Sequence, residues 1–464
     1  KDLRGFWKES STEQSKKLWL PKETDSHDLD LTYLNGFSKN TTHCSFQIKP
    51  VMKHMNKNSL KTSWQSSLFS HRDTTVDENI EFCRKIRIYP HEEQKKLFNT
   101  CFQATRFIHN NALDYIKNNP STHLSHISLR KNTMLSDKQL DLPENKTYRW
   151  LKKVPYDTRQ LVLKQLASNF KTNFTLLKNK QITHFNMSYK SSKSPYQVFY
   201  CDKKSIRLKT LRIFKRRLKQ PLKVRKRLKK WILKNSVERD YIIRRERNRY
   251  YICIPMKKEV VFTGNQPYNK VALDPGVRTF QTFYSDQGIA GKIGDNTCDQ
   301  IIELGIKEDM LKSKLTQIQN KKTRYNIRKR CFLLRSKIKN IVKDLHWKTC
   351  SYLCSTFKHI LLPSYNTSNM VKKGLPTRAR RIGSTTVRKM LYLSPFLFKQ
   401  RLLHKSRFYG CKIQIVNEAY TTKTCGGCGN LKEMKGLKTY TCMSCSYELD
   451  RDYNGARNIL LKYC

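Results

Sequence analysis

Cys425-Gly426-Gly427-Cys428 and Cys442-Met443-Ser444-Cys445 are two CxxC pairs separated by 13 residues, and they determine the architecture of the C-terminal third of the chain. A CxxC turn directs both sulfur atoms at one centre, and two such turns supply four thiolates, which suits tetrahedral zinc. A redox dithiol is the competing interpretation, but it does not explain two matched pairs. The sequence therefore predicts one structural zinc ion, without an open position for catalysis, bound by Cys425, Cys428, Cys442 and Cys445.

Acidic residues flank the two cysteine pairs. Glu418 ends a predicted strand seven residues before the first pair, and Asp450 and Asp452 follow the second pair by five and seven residues, at the start of the last predicted helix. Much earlier, Asp274 ends an apolar strand pattern just before a Pro-Gly turn. Acids at strand ends project into a cleft, and carboxylate oxygens are the hard ligands that Mg²⁺ or Mn²⁺ requires.

Taken singly, each of these acids has a plain structural explanation. Asp274 could terminate a strand, and Asp450 or Asp452 could cap a helix. The chain is poor in acids, however, with 36 Asp and Glu against 93 Lys and Arg. Because two metal ions bridged by carboxylates can activate a water and stabilise the departing oxygen in phosphodiester cleavage, the set predicts a metal-dependent site for that chemistry.

The net charge of +57 is the strongest global property of the sequence. A folded chain with that excess repels itself unless a polyanion neutralises it, and nucleic acid with many phosphates is the expected partner. A solvated basic surface, as in ribosomal proteins, is the alternative that charge alone leaves open. A membrane partner is not expected, because no basic amphipathic helix dominates and no apolar run reaches about 18 residues.

The cysteine content indicates a reducing environment. Of the 15 cysteines, four belong to the CxxC pairs, and the other eleven are scattered without a pattern. An unpatterned remainder in a large chain is typical of free thiols, and no secretory signal is recognisable. We expect an intracellular protein that resides in a eukaryotic nucleus or a viral factory.

The N-terminal part of the chain begins with a polar stretch without periodicity, and order is expected from about residue 80. Residues 82–89 alternate apolar and basic side chains, as a half-buried strand does. Pro90 then precedes a helix with acids in its first turn. A further helix is predicted over 156–177, and strands over 195–200, 241–245 and 250–254, the last two as a hairpin.

The most basic stretch is 209–234, where Lys and Arg are interleaved with Leu, Ile, Phe and Trp. A solvated basic helix is the alternative interpretation, but the charge density favours phosphate contact. Beyond Asp274 the patterns predict antiparallel strands over 280–284 and 288–293, basic helices over 303–357, and a helix over 384–409 that Pro395 breaks.

The order of these motifs resembles TnpB and its eukaryotic and viral relatives, the Fanzor nucleases, which are cousins of the type V CRISPR effectors. Three motifs carry the resemblance: Asp274-Pro275-Gly276, Glu418 ahead of the Thr422–Gly429 cysteine turn, and the run Asp450–Ile459. Arg87–Pro90, Gln94, Arg106, Asn110 and Ala112 resemble the opening of that family more loosely. The resemblance covers about residues 80–464.

The resemblance implies a multidomain α+β fold. It predicts a wedge-like β-barrel interrupted by a helical recognition unit, then a RuvC-type nuclease with an RNase H-like α/β fold and a zinc-ribbon insertion. The implied boundaries are 1–79 for the polar extension, 80–90 for the first barrel strand, 91–185 for the recognition unit, 186–266 for the rest of the barrel with its basic insertion, 267–420 with 449–464 for the nuclease, and 421–448 for the zinc ribbon.

The resemblance also assigns roles to the acids. Asp274 takes the first catalytic position and Asp452 the last, while Asp450 is the less favoured acid of its motif. Family members typically carry the middle glutamate on an earlier strand, but the corresponding strand here, residues 359–364, has no acid. We expect Glu418 to replace it, as in Fanzors and a subset of TnpBs, so that Asp274, Glu418 and Asp452 bind two catalytic Mg²⁺ ions, or Mn²⁺.

The implied activity is RNA-guided DNA cleavage. The chain would bind a structured guide RNA as a monomer with one RNA, read a short flanking motif in double-stranded target DNA, and cut at a single RuvC-type site. The alternatives are a catalytically weak or inactive nucleic-acid binder, an RNase H-like transposase, and a structural zinc-ribbon component of an RNA particle. The expected nucleic-acid contacts are Arg84, Arg87, Tyr89, Lys190, Lys193, Arg212, Lys215, Arg216, Arg225, Arg227, Arg380 and Arg381.

Overall fold

The computed structural model describes residues 79–207, 210–226, 228–229, 237–259, 266–371, 382–433 and 438–463. The expected polar extension lies outside these residues, apart from Asn79. The chain divides into two compact units: a first unit, Glu81–Lys258, and a second unit, Glu259–Cys464. Within the described ranges no helix is long and apolar enough to cross a membrane, and the 13 cysteines that these ranges contain are all free.

The described residues of the first unit form six strands: β1 (Asn79–Ile88), β2 (Tyr196–Cys201), β3 (Ile206–Arg207), β4 (Arg212–Ile213), β5 (Tyr241–Glu246) and β6 (Arg249–Glu259). Four of them form a sheet in the order β1-β6-β5-β2. The predicted hairpin is confirmed, with β5 antiparallel to β6 and a turn through Arg247 at a φ of 50°. The alternation in β1 is confirmed as well, because Ile86 and Ile88 are buried.

The expected β-barrel is not found among the described residues. The four-stranded sheet is open, and β3 and β4 form a separate two-stranded ladder. Among the described residues the basic stretch supplies only the two-residue strand β4. Its other contacts with the sheet region include a bridge in which Tyr89 N–H donates to Lys223 O at 2.8 Å, and the packing of Phe214 against Phe199 of β2. Pieces this short cannot carry the continuous hydrogen bonding that closes a barrel.

Three helices of the first unit are α1 (Glu92–Asn118), α2 (His126–Thr133) and α3 (Tyr156–Lys178). The predicted helices after Pro90 and over 156–177 are thereby confirmed. Helix α1 packs on the sheet through aromatic contacts, since the rings of Phe98 and Phe102 lie 5.4 and 5.1 Å from that of Phe199 on β2. Because these three rings are almost fully buried, they form the centre of the core of this unit.

The second unit is built on a five-stranded mixed sheet. Its strands are β7 (Tyr268–Pro275), β8 (Gln281–Ser285), β9 (Ala290–Ile293), β10 (Phe357–Pro363) and β11 (Lys412–Val416), in the order β11-β10-β7-β8-β9. Strands β7, β10 and β11 are parallel, whereas β8 and β9 are antiparallel additions, as predicted. The expected strand without an acid is β10, and it lies in the middle of the parallel set.

Helices cover both faces of this sheet, which explains its nearly continuous apolar strands. They are α4 (Thr297–Gln317), α5 (Lys321–Thr356), α6 (Thr367–Met370), α7 (Ser384–Leu393), α8 (Pro395–Tyr409) and α9 (Arg451–Lys462). Leu273 and Ile360 on one face pack in a core with α4, α5 and α8, and Ala272 on the other face packs with α9. The predicted break at Pro395 is confirmed, because α8 begins there.

Two short paired strands flank the second cysteine pair and lead into the last helix. Strands β12 (Thr439–Thr441) and β13 (Glu448–Asp450) pair antiparallel. Helix α9 starts directly after β13. The cysteine segment is therefore continuous in structure with the helix that carries Asp452.

Candidate active site and cysteine cluster

The parallel strands bring their carboxyl ends to one edge of the sheet. Leu361 pairs with Ala272, and Pro363 pairs with Val416. Continuing the first register by two residues places Pro363 level with Asp274. Because residues two apart share a face of a strand, Asp274 lies on the same face as Ala272, which packs against α9. This edge, next to α9, is where the predicted acids are brought together.

Asp274 lies in a crowded, negatively charged environment. Burial, together with the Asp452 and Glu418 carboxylates, raises the pKa of its carboxyl to about 8, while Arg451 opposes them. A like charge raises an acid's pKa in this way only when it is nearby and poorly screened. The structure therefore brings Asp274, Glu418 and Asp452 into one electrostatic neighbourhood, which we call the acid site.

Helix α9 approaches the Asp274 carboxylate through a glycine. A Cβ atom built on Gly455 would lie 2.7 Å from Asp274 Oδ2 and 3.3 Å from its Cγ. Real side chains essentially never come that close, so the helix backbone and the carboxylate pack together only because position 455 has no side chain. The sequence motif contained this signal, but it takes the structure to show which group occupies the space.

The two acids at the start of α9 have different partners. Asp450 caps the helix, since its Oδ1 accepts hydrogen bonds from the N–H groups of Asp452 at 3.0 Å and Tyr453 at 3.4 Å, and its Oδ2 accepts one from Lys292 Nζ at 2.6 Å. Asp452 accepts a hydrogen bond from Arg451 Nη2 at 3.1 Å. Asp450 is thus occupied by structural contacts, and Asp452 is the acid that acts on Asp274.

Glu418 lies two residues beyond β11, and burial raises the pKa of its carboxyl. Thr421 Oγ1 donates a hydrogen bond to the backbone oxygen of Glu418 at 2.9 Å, which fixes the turn. Within the described part of the chain, only the four paired cysteines place their ligand atoms all within 4.8 Å of one another. The oxygen atoms of the three carboxylates therefore lie farther apart than the ligand atoms of a closed single-ion site.

Tyr365 belongs to the same surroundings, and the sequence analysis missed it. Burial, the Glu418 carboxylate and the Asp274 carboxylate together raise the pKa of its phenol to about 12. It follows the end of β10, just as Asp274 and Glu418 follow or end their strands. Strand-end position was therefore the available signal, but a search restricted to acids passes over a tyrosine.

The four cysteines form the cysteine cluster: Cys425, Cys428, Cys442 and Cys445. The sulfur atoms of Cys425 and Cys445 lie 3.6 Å apart, as do those of Cys428 and Cys442. A tetrahedral ion about 2.3 Å from each sulfur would separate the sulfurs by about 3.8 Å, so the cluster fits such an ion. Backbone N–H groups of Ser444 and Cys445 lower the pKa of Cys442 to about 6, which favours the thiolate that a metal requires.

Two asparagines tie this cluster to α9. Asn454 Nδ2 donates to Thr424 O at 2.8 Å, and its Oδ1 accepts from Gly426 N–H at 3.0 Å. Asn458, one helical turn later, donates to Thr421 O at 2.8 Å and to Thr424 O at 2.7 Å. The helix that contacts Asp274 therefore also holds the first cysteine turn, a connection that joins residues about thirty positions apart in the sequence.

The predicted nucleic-acid contacts differ in accessibility. Exposed side chains are those of Lys193, Arg212, Lys215, Arg216 and Arg225, and Arg87 and Tyr89 are half-buried. Arg84 is only 4% exposed, so its guanidinium has little surface to offer a phosphate. Burial lowers the pKa of Lys190 to about 8. Arg227, Arg380 and Arg381 lie outside the described residues.

Two domain families match segments of the chain. The Cas12f1-like TNB domain matches residues 397–459, which include most of α8, β11, the cysteine cluster and most of α9. The helix-turn-helix domain associated with OrfB of IS605 matches residues 83–121. In this structure the second segment is a strand followed by one continuous 27-residue helix. The first match thus covers the part of the chain that carries Glu418 and Asp452.

Relatives in giant viruses match over most of the chain. The A625R protein of Paramecium bursaria Chlorella virus 1, described provisionally as a transposase, is 28% identical over 82% of this chain and 86% of its own length. The TnpB-like protein L79 of Acanthamoeba polyphaga mimivirus is 27% identical over 81% of this chain and 72% of its own. The CRISPR-associated endodeoxyribonuclease Cas12f1 of Sulfoacidibacillus thermotolerans is 32% identical over 18% of this chain and 20% of its own.

Among solved structures, the Cas12f1–sgRNA–target DNA complex is similar to this chain at a TM-score of 0.31 and 16% identity, over 82% of this chain and 98% of that one. A CRISPR–Cas12f ternary complex gives a TM-score of 0.33 and 13% identity, over 80% and 82%. The domain matches and the giant-virus relatives agree with the motifs around the acid site and the cysteine cluster. Together they support the resemblance of the chain to the TnpB/Fanzor-type family.

Proposed function

We propose that this chain is an RNA-guided DNA endonuclease that hydrolyses phosphodiester bonds with divalent metal ions at Asp274, Glu418 and Asp452. The mixed sheet of the second unit, with helices on both faces, supports an RNase H-like domain of the RuvC type. The relatives of this chain have names that describe transposases, TnpB-like proteins or RNA-guided and CRISPR-associated nucleases. The first unit, with its basic segment, would hold guide RNA and flanking DNA.

The observation that carries the proposal is the effect on Asp274 of two acids from distant parts of the chain. The Asp452 and Glu418 carboxylates both raise the pKa of Asp274, although 144 and 178 residues separate them from it. Like charges held close together at one edge of the sheet destabilise the fold unless a cation binds between them, even in a chain whose net charge is +57. Divalent cations with hard oxygen ligands fit this donor set.

The chain's own residues prepare the site for cations. Asp274 must lose its proton before it can act as a ligand, and Arg451 favours that loss. Gly455 leaves room for the Asp274 carboxylate beside α9. When bound, Mg²⁺ supplies Lewis-acid stabilisation of the charge that develops on the phosphate oxygens. Asp450, held by its cap and by Lys292, orients the helix that presents Asp452.

The cysteine cluster would hold one structural zinc ion. Its four sulfurs have the spacing of a closed tetrahedral site, which has no position for water or substrate. The hydrogen bonds of Asn454 and Asn458 extend from the cluster to α9. A zinc ion held there would stabilise the segment that supports Asp452 and would take no part in the chemistry.

Cleavage assays with purified protein test the proposal. Protein isolated with its copurifying RNA, which sequencing identifies, is incubated with Mg²⁺ and a plasmid that contains the matching target. We expect wild-type protein to cut, and Asp274→Ala, Glu418→Gln and Asp452→Ala to bind RNA normally but to cut at least about 100-fold more slowly. Asp299→Asn, which alters an exposed acid on α4, is the matched control and should cut like wild type.

A nucleic-acid binder without cleavage is the second candidate, because Pro363 ends the middle strand β10 and no acid stands level with Asp274 there. In that case wild-type protein would hold RNA and target DNA but leave the plasmid intact at every Mg²⁺ or Mn²⁺ concentration. A transposase would instead produce joined ends, which sequencing of the products detects. Cutting by Asp274→Ala at the wild-type rate would show that the reaction occurs elsewhere.

A further inference from the structure

The middle strand of the parallel set contributes a tyrosine where its neighbours contribute acids. Strand β10 ends at Pro363, and Ser364 N–H continues the pairing by donating to Val416 O at 2.9 Å. Tyr365 comes next, and its carbonyl accepts a hydrogen bond from Thr367 N–H at 2.9 Å. The chain therefore turns sharply at Tyr365, between the ends of β7 and β11.

The backbone of Tyr365 adopts an unfavourable conformation in this turn. Its φ is 33°, in the region that L-residues with bulky side chains rarely occupy. Strain of this kind persists only where the surrounding structure imposes it, and it concentrates at functional sites. Here the turn brings an aromatic side chain within electrostatic reach of Glu418 and Asp274.

Tyr365 adds a neutral hydrogen-bond donor to the surroundings of the acid site, in addition to the hydroxyl of Thr422, which like Asp274 Oδ2 borders Gly455. Ionised carboxylates can only accept hydrogen bonds. Arg451 Nη2 donates to Asp452, and Lys292 Nζ donates to Asp450. Among the described residues, no protein group accepts a hydrogen bond from the phenol of Tyr365. Its O–H is therefore available to a ligand that enters the site.

We propose that Tyr365 is a further catalytic residue, whose phenol O–H donates a hydrogen bond to a non-bridging oxygen of the phosphodiester that is cut. The inference rests on the proposed nuclease function. Negative charge grows on that oxygen in the transition state, and a fixed donor stabilises the charge there. A neutral donor does so without displacing a cation from the three carboxylates, as a second arginine or lysine would.

The variant Tyr365→Phe removes only the hydroxyl and keeps the ring that fills the turn. We expect it to cut about 10- to 100-fold more slowly than wild type at saturating Mg²⁺. Its copurifying RNA, melting temperature and half-saturating Mg²⁺ concentration should not change. Tyr420→Phe is the matched control, because that ring is 69% exposed and loses the same hydroxyl; it should cut like wild type.

A second measurement separates a lost contact from a general defect. In a target with one non-bridging oxygen at the cut bond replaced by sulfur, a poorer acceptor, wild-type cutting should slow for one of the two stereoisomers. In Tyr365→Phe that additional slowing should largely disappear, since the donor is already absent. The comparison is a ratio within each protein, so a partly misfolded fraction changes the amplitude and leaves the ratio intact.

Three outcomes would overturn the assignment while leaving the nuclease proposal in place. Tyr365→Phe could cut like wild type although Asp274→Ala is inactive. Its defect could vanish at high Mg²⁺, which would make Tyr365 a support for a metal ligand instead of a substrate contact. The sulfur effect could be equal in both proteins. If Asp274→Ala itself cuts like wild type, the proposed function fails, and that result is distinguishable from all three.

Discussion

The Asp274 carboxyl must lose its proton before it can bind a cation. Its pKa of about 8 means that, without a cation, the carboxyl is largely protonated at neutral pH. The cause is physical crowding: burial contributes most, and two further carboxylates add to it. A divalent cation that uses Asp274 must therefore displace a proton, which couples metal binding to pH.

We expect the Mg²⁺ concentration that gives half-maximal cutting to fall as pH rises. Below a pKa of about 8, the ionised fraction of Asp274 increases up to about tenfold per pH unit, and the Mg²⁺ requirement should decrease by a comparable factor before it levels off. Initial cutting rates across Mg²⁺ series at several pH values measure this. A requirement that does not change between about pH 6 and pH 8 would contradict the coupling.

Gly455 is the second residue whose role follows from its contacts. A methyl group at this position would lie 2.7 Å from Asp274 Oδ2, so either the carboxylate or the helix must move. Displacing a catalytic group by a few tenths of an ångström to about 1 Å lowers rates by up to about 100-fold. We expect Gly455→Ala to cut about 10- to 100-fold more slowly in the plasmid assay.

Gly383→Ala provides the comparison for that prediction. Gly383 precedes α7, and a Cβ atom there would meet no atom within 4 Å. The variant should retain wild-type cutting and a melting temperature within a few degrees of it. Equal activities of the two alanine variants would show that the Asp274 carboxylate tolerates movement.

Helix α9 joins the two sites at the scale of a secondary-structure element. Its cap is Asp450, its first turn carries Asp452, and Gly455 packs against Asp274. On the same helix, Asn454 and Asn458 hold the first cysteine turn. The element therefore transmits the position of the cysteine cluster to the acid site through a short, buried set of hydrogen bonds.

We expect Asn454→Ala to destabilise the second unit without removing its zinc. The change leaves Gly426 N–H without its acceptor, whereas Thr424 O keeps its hydrogen bond from Asn458, and an unsatisfied buried group costs about 1–3 kcal/mol. The midpoint of denaturant unfolding should fall, while zinc content stays at one ion because all four cysteines remain. Cys425→Ser should lower zinc content and stability together.

The exposed Asn326→Ala on α5 is the control for Asn454→Ala. It removes the same amide from a helix surface, where alanine is well accommodated, so the unfolding midpoint should not decrease. If Asn454→Ala and Asn326→Ala unfold at the same denaturant concentration, the hydrogen bonds at α9 contribute little to the fold.

Local patterns predicted most of these elements. The hairpin β5–β6 and the break at Pro395 depend on neighbouring residues, so propensity and turn chemistry predict them correctly. The residue pattern also predicted the strand that leads to Glu418, seven residues before the first cysteine pair. In each of these features the interacting residues lie close together in the sequence, which is why the sequence predicts them.

Features that depend on distant partners were not predictable in the same way. The β-barrel was expected from the resemblance, but among the described residues the basic stretch forms only one two-residue strand, and the sheet is open. Tyr365 joins the acid site through strand register and a strained turn, which no periodicity encodes. Asn454 finds its partners 28 and 30 residues away, so its role depends on the tertiary fold.

The charge of the whole molecule sets the condition under which these sites work. A net charge of +57 is spread over a chain whose exposed basic side chains include Lys215 and Arg216. Self-repulsion of that size disfavours a compact bare protein, and bound polyanion relieves it. We therefore expect the nucleic-acid complex, not the isolated chain, to be the stable form at low ionic strength.

Salt dependence tests whether the basic segment contacts phosphates. Each phosphate contact releases counterions and contributes about 0.7 to 0.9 to the slope of log affinity against log salt concentration. If Lys215 and Arg216 each contact a phosphate of the copurifying RNA, replacing both with alanine should weaken binding and reduce that slope by about 1.4 to 1.8, without altering the melting temperature of the protein. Fluorescence anisotropy across a salt series measures both the affinity and the slope.

The control is Lys152→Ala. The ammonium of Lys152 pairs with Asp141 at 2.6 Å, so this variant should leave the slope nearly unchanged. If the slope does not change in the double variant, Lys215 and Arg216 face solvent in the complex, because a charge that touches no phosphate releases no counterion when RNA binds.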